Sequence, residues 1–467
     1  MDIQKIIVEN NLKDLFYNGG FGIEKESIRV NKKTDMLADT DHPATLAERE
    51  QHPYIQTDYG EAQPELITPP FSSITQSLNF LKGVNEALTR ALPKDEYIWP
   101  FSIPSRLPED HLIRISETGT EEVKEYREYT GEKYGRSRQL MSGLHLNFSF
   151  SEEFVEKLYE NQDKYDSIMN LKNALYLKTS RNFLRYEWVL IYLFGATPVA
   201  EEEFFRQNKA VNDSNIPTRP MRSIRNSTLG FYNETDVTVR YDDLESYIFD
   251  IEDSVLNKRL KEEREYYGDV RLKGGMSKRI QDLLQSGIEY IELRSLDLNP
   301  MSPLGMTNEE ATFIHLFILY LAWIDEIVSE IEIANEGKDR LIQTAEEYPL
   351  DESAFKDDAK VFIAGMKDML EDIDKTEFIP LVDKIINLFD HPEKTVSGYI
   401  TKVLNNGESF IDLGHRLGMM YKTNIENKAF ELDGFDSIKP KEQNEILQAI
   451  KDGMSWDDLQ ALVYKED

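Results

Sequence analysis

Phe21-Gly22-Ile23-Glu24-Lys25-Glu26-Ser27-Ile28-Arg29-Val30 is the stretch on which the fold turns. It follows a double glycine, Gly19-Gly20. Ile28 and Val30 favour extended backbone and no helical spacing fits, so a strand is expected. Residues two apart on a strand share a face, which sets Glu24 and Glu26 side by side. Two adjacent carboxylates on a half-buried strand repel each other and resist desolvation. A divalent cation would relieve both penalties. A solvated edge strand with two surface glutamates is the alternative that this stretch leaves open.

Outward from it, the apolar spacing of Ile3, Ile6, Ile7, Leu12, Leu15 and Phe16 predicts one helix over residues 2–17. Residues 39–52 are polar and read as a loop. Residues 54–70 begin and end like strand and carry Asp58 and Glu65; Gly60 and Pro64 predict a bend or bulge between them. Residues 73–92 have the pattern of an amphipathic helix. Trp99-Pro100-Phe101-Ser102-Ile103-Pro104 is too rich in proline for a central strand and reads as a rigid aromatic loop. Residues 121–134 form a charged helix containing Tyr126-Arg127-Glu128.

Ser142-Gly143-Leu144-His145-Leu146-Asn147-Phe148-Ser149-Phe150 alternates cleanly. Its leucines and phenylalanines face one way, and His145 and Asn147 face the other. Residues 165–193 read as helix, residues 221–232 as a polar loop holding Arg222 and Arg225, and residues 271–275 as a second basic loop holding Arg271 and Lys273. Residues 287–297 form a strand with Glu292 and Arg294 on one face. Thr307 and Glu310 make a capping box for a buried helix, and Ser455 with Asp458 marks another helix start. Strand-rich residues 1–306 and mainly helical residues 307–467 indicate an α+β fold in a single unit, without repeats or a linker.

Composition removes several classes of function. The 467 residues carry 54 Lys+Arg against 86 Asp+Glu, a net charge of -32, which argues against nucleic acid or an anionic membrane as partner. The absence of cysteine excludes disulfides, thiolate zinc sites, iron–sulfur clusters and a cysteine nucleophile. Residues 311–324 are the most apolar run, but they include His315 and are shorter than a membrane span. With no signal-peptide pattern at the N-terminus, a cytoplasmic protein is expected.

Neither a Walker A sequence nor a Gly-rich dinucleotide turn is present. Gly274-Gly275 beside Arg271 and Lys273 reads equally as a phosphate contact or an ordinary basic turn. What remains is a set of strand-borne groups: Glu24, Glu26, Asp58, Glu65, Glu292, Asn147 and His145. Oxygen ligands with one imidazole suit Mg²⁺ or Mn²⁺ better than a soft metal. Carboxylates that share metal ions, with arginines nearby, suit nucleotide-dependent phosphoryl transfer. His145 alone would more often be structural, but its alternation with Asn147 on a polar face favours a ligand. Arg225 beside Arg222 reads as a surface arginine or as a bidentate grip on a substrate carboxylate.

Five ordered motifs now resemble a known family. They are Phe21-Gly22-Ile23-Glu24-Lys25-Glu26-Ser27, Thr57-Asp58 with Glu65-Leu66-Ile67-Thr68-Pro69, Ser142 to Asn147, Tyr192-Leu193-Phe194-Gly195-Ala196 and Gly287 to Pro300. Over roughly residues 15–325 the chain resembles bacterial glutamate–cysteine ligase, most closely the ligase half of the bifunctional glutathione-synthesising enzymes of Gram-positive bacteria. The resemblance implies an antiparallel sheet curved into a funnel, as in the glutamine synthetase catalytic domain. It implies that ATP phosphorylates the γ-carboxylate of glutamate and that the amine of cysteine then displaces phosphate. Glu24, Glu26, Asp58, Glu65, His145 and Glu292 would hold Mg²⁺, and Asn147 would help position them. Arg294 would contact the transferred phosphoryl group, Arg225 the substrate α-carboxylate, and Arg127 would lie close to the substrates. Arg271 and Lys273 are the remaining candidates for ATP.

Two positions depart from the family pattern: Phe231, followed by Tyr232, stands where tyrosine is typical, and Tyr59 where phenylalanine is common. Both resemble the acceptor pocket, so a different amine acceptor is the competing expectation, and a non-catalytic paralogue that binds glutamate or nucleotide is a third. The chain ends without an ATP-grasp domain, so glutathione synthetase activity is not expected. The partners expected are small molecules, and the protein is expected to be a monomer or weak homo-oligomer.

Overall fold

Six strands form one antiparallel sheet in the computed structural model, which describes residues 2–212, 215–233, 237–275, 279–325, 330–435 and 442–464. In chain order the strands are β1 (Gly19–Glu26), β2 (Arg29–Asn31), β3 (Ile55–Thr57), β4 (Pro64–Ile67), β5 (Glu96–Ile98), β6 (Leu144–Phe150), β7 (Val270–Lys273) and β8 (Tyr290–Leu296). The large sheet runs β3-β4-β1-β6-β8-β7, and β2 pairs with β5 apart from it. The sheet is curved and open, with β3 and β7 at its edges.

The register follows from side-chain alternation. Glu24 lies opposite His145, Glu26 opposite Glu65, and Asn147 opposite Glu292. The β6–β8 pairing shifts between Leu144 and Leu146, so Arg294 and Ser295 together oppose His145. Such a bulge bends the strand and re-aims its side chains.

The other face of the sheet, with Phe21, Ile23, Leu66, Leu144, Leu146, Phe148, Ile291 and Leu293, is buried in the main core. Helices Ile74–Ala91 and Asn308–Trp323 cover it. The second is apolar all round and opens with the expected Thr307–Glu310 capping box. His315 on that helix stands within ring-contact distance of Tyr17, Phe21 and Phe148, a structural setting. The same core continues to Val463, so the C-terminal helices pack on one body with the sheet.

Local expectations hold with three exceptions. Residues 2–17 are two helices, Ile3–Glu9 and Lys13–Tyr17, because Asn11 between them takes a left-handed conformation (φ 54°) that ends the first. The expected helix over residues 165–193 is divided at Glu187 into Ile168–Tyr186 and Trp188–Phe194. Arg271 and Lys273 lie on strand β7, not in a loop; Gly274 and Gly275 follow it outside the strand. The aromatic loop is as expected: Trp99 and Phe101 are buried, packing on each other and on Phe410.

Candidate active site

On its polar face the sheet gathers residues from five separate segments. Glu24 and Glu26 come from β1, Glu65 from β4, His145 and Asn147 from β6, Glu292 and Arg294 from β8, and Asp58 from the turn after β3. The His145 ring nitrogens lie 3.4 Å from Glu24, 3.6 Å from Glu26 and 3.8 Å from Glu292. Asn147 Nδ2 donates to Glu24 at 2.9 Å, and the Gly143 N–H donates to Glu26 at 2.7 Å. Glu292 is paired with Arg294 and with Lys273, each at 3.0 Å.

This concentration of negative charge is costly without a cation. Burial and the charge of Asp58 push the Glu26 carboxyl up to about 8, against the pull of Arg225 and Arg294. Glu65 is raised well above the carboxylate range by burial and by Asp58, Glu24, Glu26 and Glu292. Glu292 goes the other way: Arg294, Lys273 and His145 outweigh its burial and hold it low. Burial, reinforced by Arg294, depresses His145 to about 4, leaving a neutral imidazole near pH 7, the form that binds metal.

A hard divalent cation fits these residues. One ligating atom each from Glu24, His145 and Glu292 lie within 4.8 Å of one another. Glu26 and Glu65 face each other directly across two strands, an arrangement that is destabilising unless something bridges them. Asn147 Oδ1 is buried with no hydrogen-bond partner among the described residues. Oxygen donors with one imidazole match Mg²⁺ or Mn²⁺.

The cluster opens onto a cavity of about 280 Å³ whose other walls are cationic and aromatic. Arg127, Arg225, Arg264, Arg271 and Arg294 all line it. Arg225 is buried and fixed by backbone: Nη2 donates to Arg294 O at 2.8 Å and Nη1 to Leu296 O at 3.4 Å. Its loop is anchored by Asp297, which accepts from Ala196 N, Thr197 Oγ1 and Ser223 Oγ. Arg127 is held by Ser116 O and Thr118 O. Arg271 donates to Tyr266 O and Arg264 O, so the edge strand braces the loop beside it.

Other expected residues are distributed unevenly. Tyr59 and Phe231 line the cavity; the Tyr59 hydroxyl is buried without a hydrogen-bond partner among the described residues, and the Phe231 ring lies 4.3 Å from that of Tyr267. Tyr232 is not in the lining: its ring covers the Arg138 guanidinium at 4.9 Å. Lys273 is likewise absent from the lining, as is its ion-pair partner Glu292. Arg222, weighed as a partner of Arg225, is turned away into Glu347, Pro349 O and Asp351 O.

The sequence reading missed Tyr126, Thr130, Gln139, Asn226, Arg264, Tyr267 and Asp269 as lining residues. Val123, Tyr126, Arg127 and Thr130 share one face of helix Glu121–Tyr134, so helical spacing from Arg127 was a usable signal. Arg264, Tyr267 and Asp269 come from a stretch with no period to reveal them; Arg264 lies 4.0 Å from the Tyr126 ring centre.

An α+β protein with a carboxylate-and-imidazole cluster on an open antiparallel sheet, facing arginines across one cavity, is the class that fold and site define. The glutamate-cysteine ligase family profile matches residues 4–339, and the chain belongs to that family. It is 36% identical to the glutathione biosynthesis bifunctional protein of Pasteurella multocida and 37% to that of Enterococcus faecalis, over 97% of this chain and 59% of each relative. The chain thus spans about three fifths of the length of the curated relatives it matches. The crystal structure of a bifunctional glutathione synthetase from Pasteurella multocida superposes with a TM-score of 0.90 at 36% identity, covering 97% of this chain and 58% of that one. A glutamate–cysteine ligase from Francisella tularensis, solved with AMP, shares the fold at a TM-score of 0.79 and 23% identity, over 96% and 95% of the two chains.

Proposed function

We propose that this chain joins the γ-carboxylate of L-glutamate to the amine of L-cysteine, consuming ATP and releasing ADP and phosphate. The observation that carries the reading is the facing of a buried carboxylate–imidazole cluster and a set of arginines across one cavity, in a member of this family. A carboxylate is a poor acylating agent because oxide is a poor leaving group. A γ-carboxylate oxygen attacks the terminal phosphorus of ATP and ADP departs. The amine lone pair then attacks the acyl carbon of the γ-glutamyl phosphate, and phosphate leaves with the C–O bonding electrons as the amine loses its proton.

Glu24, Glu26, Asp58, Glu65, His145 and Glu292 would hold Mg²⁺, with Asn147 orienting Glu24. Mg²⁺ bound there supplies charge neutralisation to the polyphosphate during phosphoryl transfer. Arg294, stationed beside Glu292, is assigned to the transferred phosphoryl group. Arg225 is assigned to an α-carboxylate, Arg127 to the substrates beside Asp58, and Arg271 to ATP. Tyr59 and Phe231, with Tyr126 and Tyr267, would shape the space for the acceptor side chain. The reading places catalysis in residues 1–306 and gives residues 307–467 a buttressing role. It takes the protein to be a cytoplasmic monomer or weak homo-oligomer. Among the described residues no helix is long and apolar enough to cross a membrane.

The test is ADP release with glutamate, ATP and Mg²⁺ across a panel of amino acids and amines. Cysteine is expected to give the largest rate. Turnover no faster than the acceptor-free control would remove the assignment, and a faster rate with another amine would reassign the acceptor.

A further inference from the structure

Asp269 is a carboxylate of the cavity lining that stands apart from the strand-borne cluster. It follows Gly268 and precedes β7, and its carbonyl accepts the Arg294 N–H at 2.9 Å, which fixes its main chain. Its side chain makes no hydrogen bond and no ion pair at 4.0 Å or closer with the described residues. Lys338, Arg225 and Arg294 act on it favourably, and the buried carboxyl of Glu187 lies within electrostatic reach of it.

Arg225 rests on the carbonyl of the same Arg294. Its two terminal nitrogens each give one of their two N–H groups to a backbone oxygen, and its Nε is buried with no hydrogen-bond partner among the described residues. Its carboxylate neighbour Asp297, at 4.0 Å, is already bound by four donors: Ala196 N, Thr197 Oγ1, Ser223 Oγ and Asn226 Nδ2. One wall of the cavity therefore offers an incompletely used guanidinium and an unused carboxylate that do not bond each other. Each costs free energy if it stays desolvated and unmatched. A carbon bearing both an ammonium and a carboxylate satisfies the two at once.

We propose that Asp269 receives the α-ammonium of the amino acid whose α-carboxylate is held by Arg225, and that this amino acid is the γ-carboxylate donor. The assignment rests on the ligase reading above. It falls to the donor because the acceptor must attack through a neutral amine with a free lone pair, and an ammonium paired with a carboxylate has none. The amine that Asp269 holds is the one that does not react.

The experiment compares L-glutamate with glutarate, which keeps both carboxylates and lacks only the ammonium. Binding of each is measured by calorimetry, with Mg²⁺ and ADP present, to the full chain and to Asp269→Asn. The wild-type protein is expected to prefer glutamate by at least about tenfold, a charge-assisted hydrogen bond being worth that much. In Asp269→Asn the affinity for glutamate should fall by about tenfold to a hundredfold while that for glutarate is retained. Equal wild-type affinities overturn the proposal without recourse to a variant. A folded Asp269→Asn protein with unchanged glutamate affinity also overturns it. A carboxylate present only to balance Lys338 would lower the melting temperature and leave the glutamate-to-glutarate ratio alone, which again refutes it. Wild-type turnover with cysteine is scored separately: glutamate bound without turnover sinks the ligase reading alone, and no glutamate binding sinks both.

Discussion

Gly143 packs tightly on the Arg225 guanidinium, and replacing the glycine by alanine tests whether Arg225 positions substrate. A Cβ at residue 143 would lie 2.2 Å from Arg225 Nη2 and 2.8 Å from Cζ. The guanidinium would have to retreat by roughly 1 Å or more to reach van der Waals separation. Its hydrogen bond to Arg294 O, now 2.8 Å, would break, and the weaker one to Leu296 O at 3.4 Å has no slack. Losing one hydrogen bond from a charged group costs about 1.5–3 kcal/mol, or roughly tenfold to a hundredfold in an equilibrium. A misplacement of about 1 Å at a binding group carries a similar rate penalty. The Gly143 N–H that Glu26 accepts is backbone and survives the substitution. Gly143→Ala is therefore expected to raise KM for glutamate by about tenfold to a hundredfold while Mg²⁺ affinity and KM for ATP stay within about twofold. The assay is ADP release with glutamate varied at saturating ATP and cysteine, beside a thermal melt. A folded variant with unchanged KM for glutamate would refute the role given to Arg225.

Glu65→Gln should make the metal-free protein more stable, because it removes the carboxylate most crowded by its neighbours, while lowering Mg²⁺ affinity by at least about tenfold; melting curves with and without Mg²⁺ show both effects. Stabilisation by Mg²⁺ should grow with pH between about 6.5 and 8. In that window the raised Glu26 and Glu65 hold protons in the folded state that the unfolded chain has lost, so these groups make metal-free stability fall as pH rises, and Mg²⁺ displaces those protons. A Mg²⁺-induced shift in melting temperature that is flat across the window contradicts this. Arg222→Ala should cost about 3 kcal/mol by leaving Glu347 without its buried partner, lowering the melting temperature with KM for glutamate unchanged. A raised KM would place Arg222 in the site.

The sheet was legible wherever period-two alternation was unbroken. Leu144 to Phe150 and Glu24 with Glu26 announced their faces, and cross-strand register then gathered Glu24, Glu26, Glu65, His145 and Glu292 in one place. Alternation failed where the chain turns on local conformation: Asn11 breaks a helix by taking a left-handed φ that apolar spacing does not encode. Arg271 and Lys273 were read as loop because Gly274-Gly275 dominates a short window, although an edge strand of four residues ends just before it. The cavity's far wall was the least legible part. Arg264, Tyr267 and Asp269 sit in a loop held by long-range contacts with helix Glu121–Tyr134, with Phe231 and Asn233, and with β7 and β8, none of which a local window of sequence encodes. The direction of Tyr232 depends on a bend and irregular backbone, which have no period to predict a side chain's face.

The β1–β6–β8 register has a consequence for how the chain folds. Glu24 and His145 face each other across 121 residues of sequence, and Glu292 reaches them only once β8 has docked on β6. No short segment holds more than two of the acidic groups, so during synthesis their charges stay dispersed in solvent. Crowding begins with the late, long-range pairings that are also the slowest to form. Mg²⁺ therefore has no assembled cluster to bind in a nascent chain and acts by stabilising the finished sheet. A chain halted before residue 290 would leave the β6 edge unpaired, and such an exposed edge is a template for aggregation rather than a partly active enzyme.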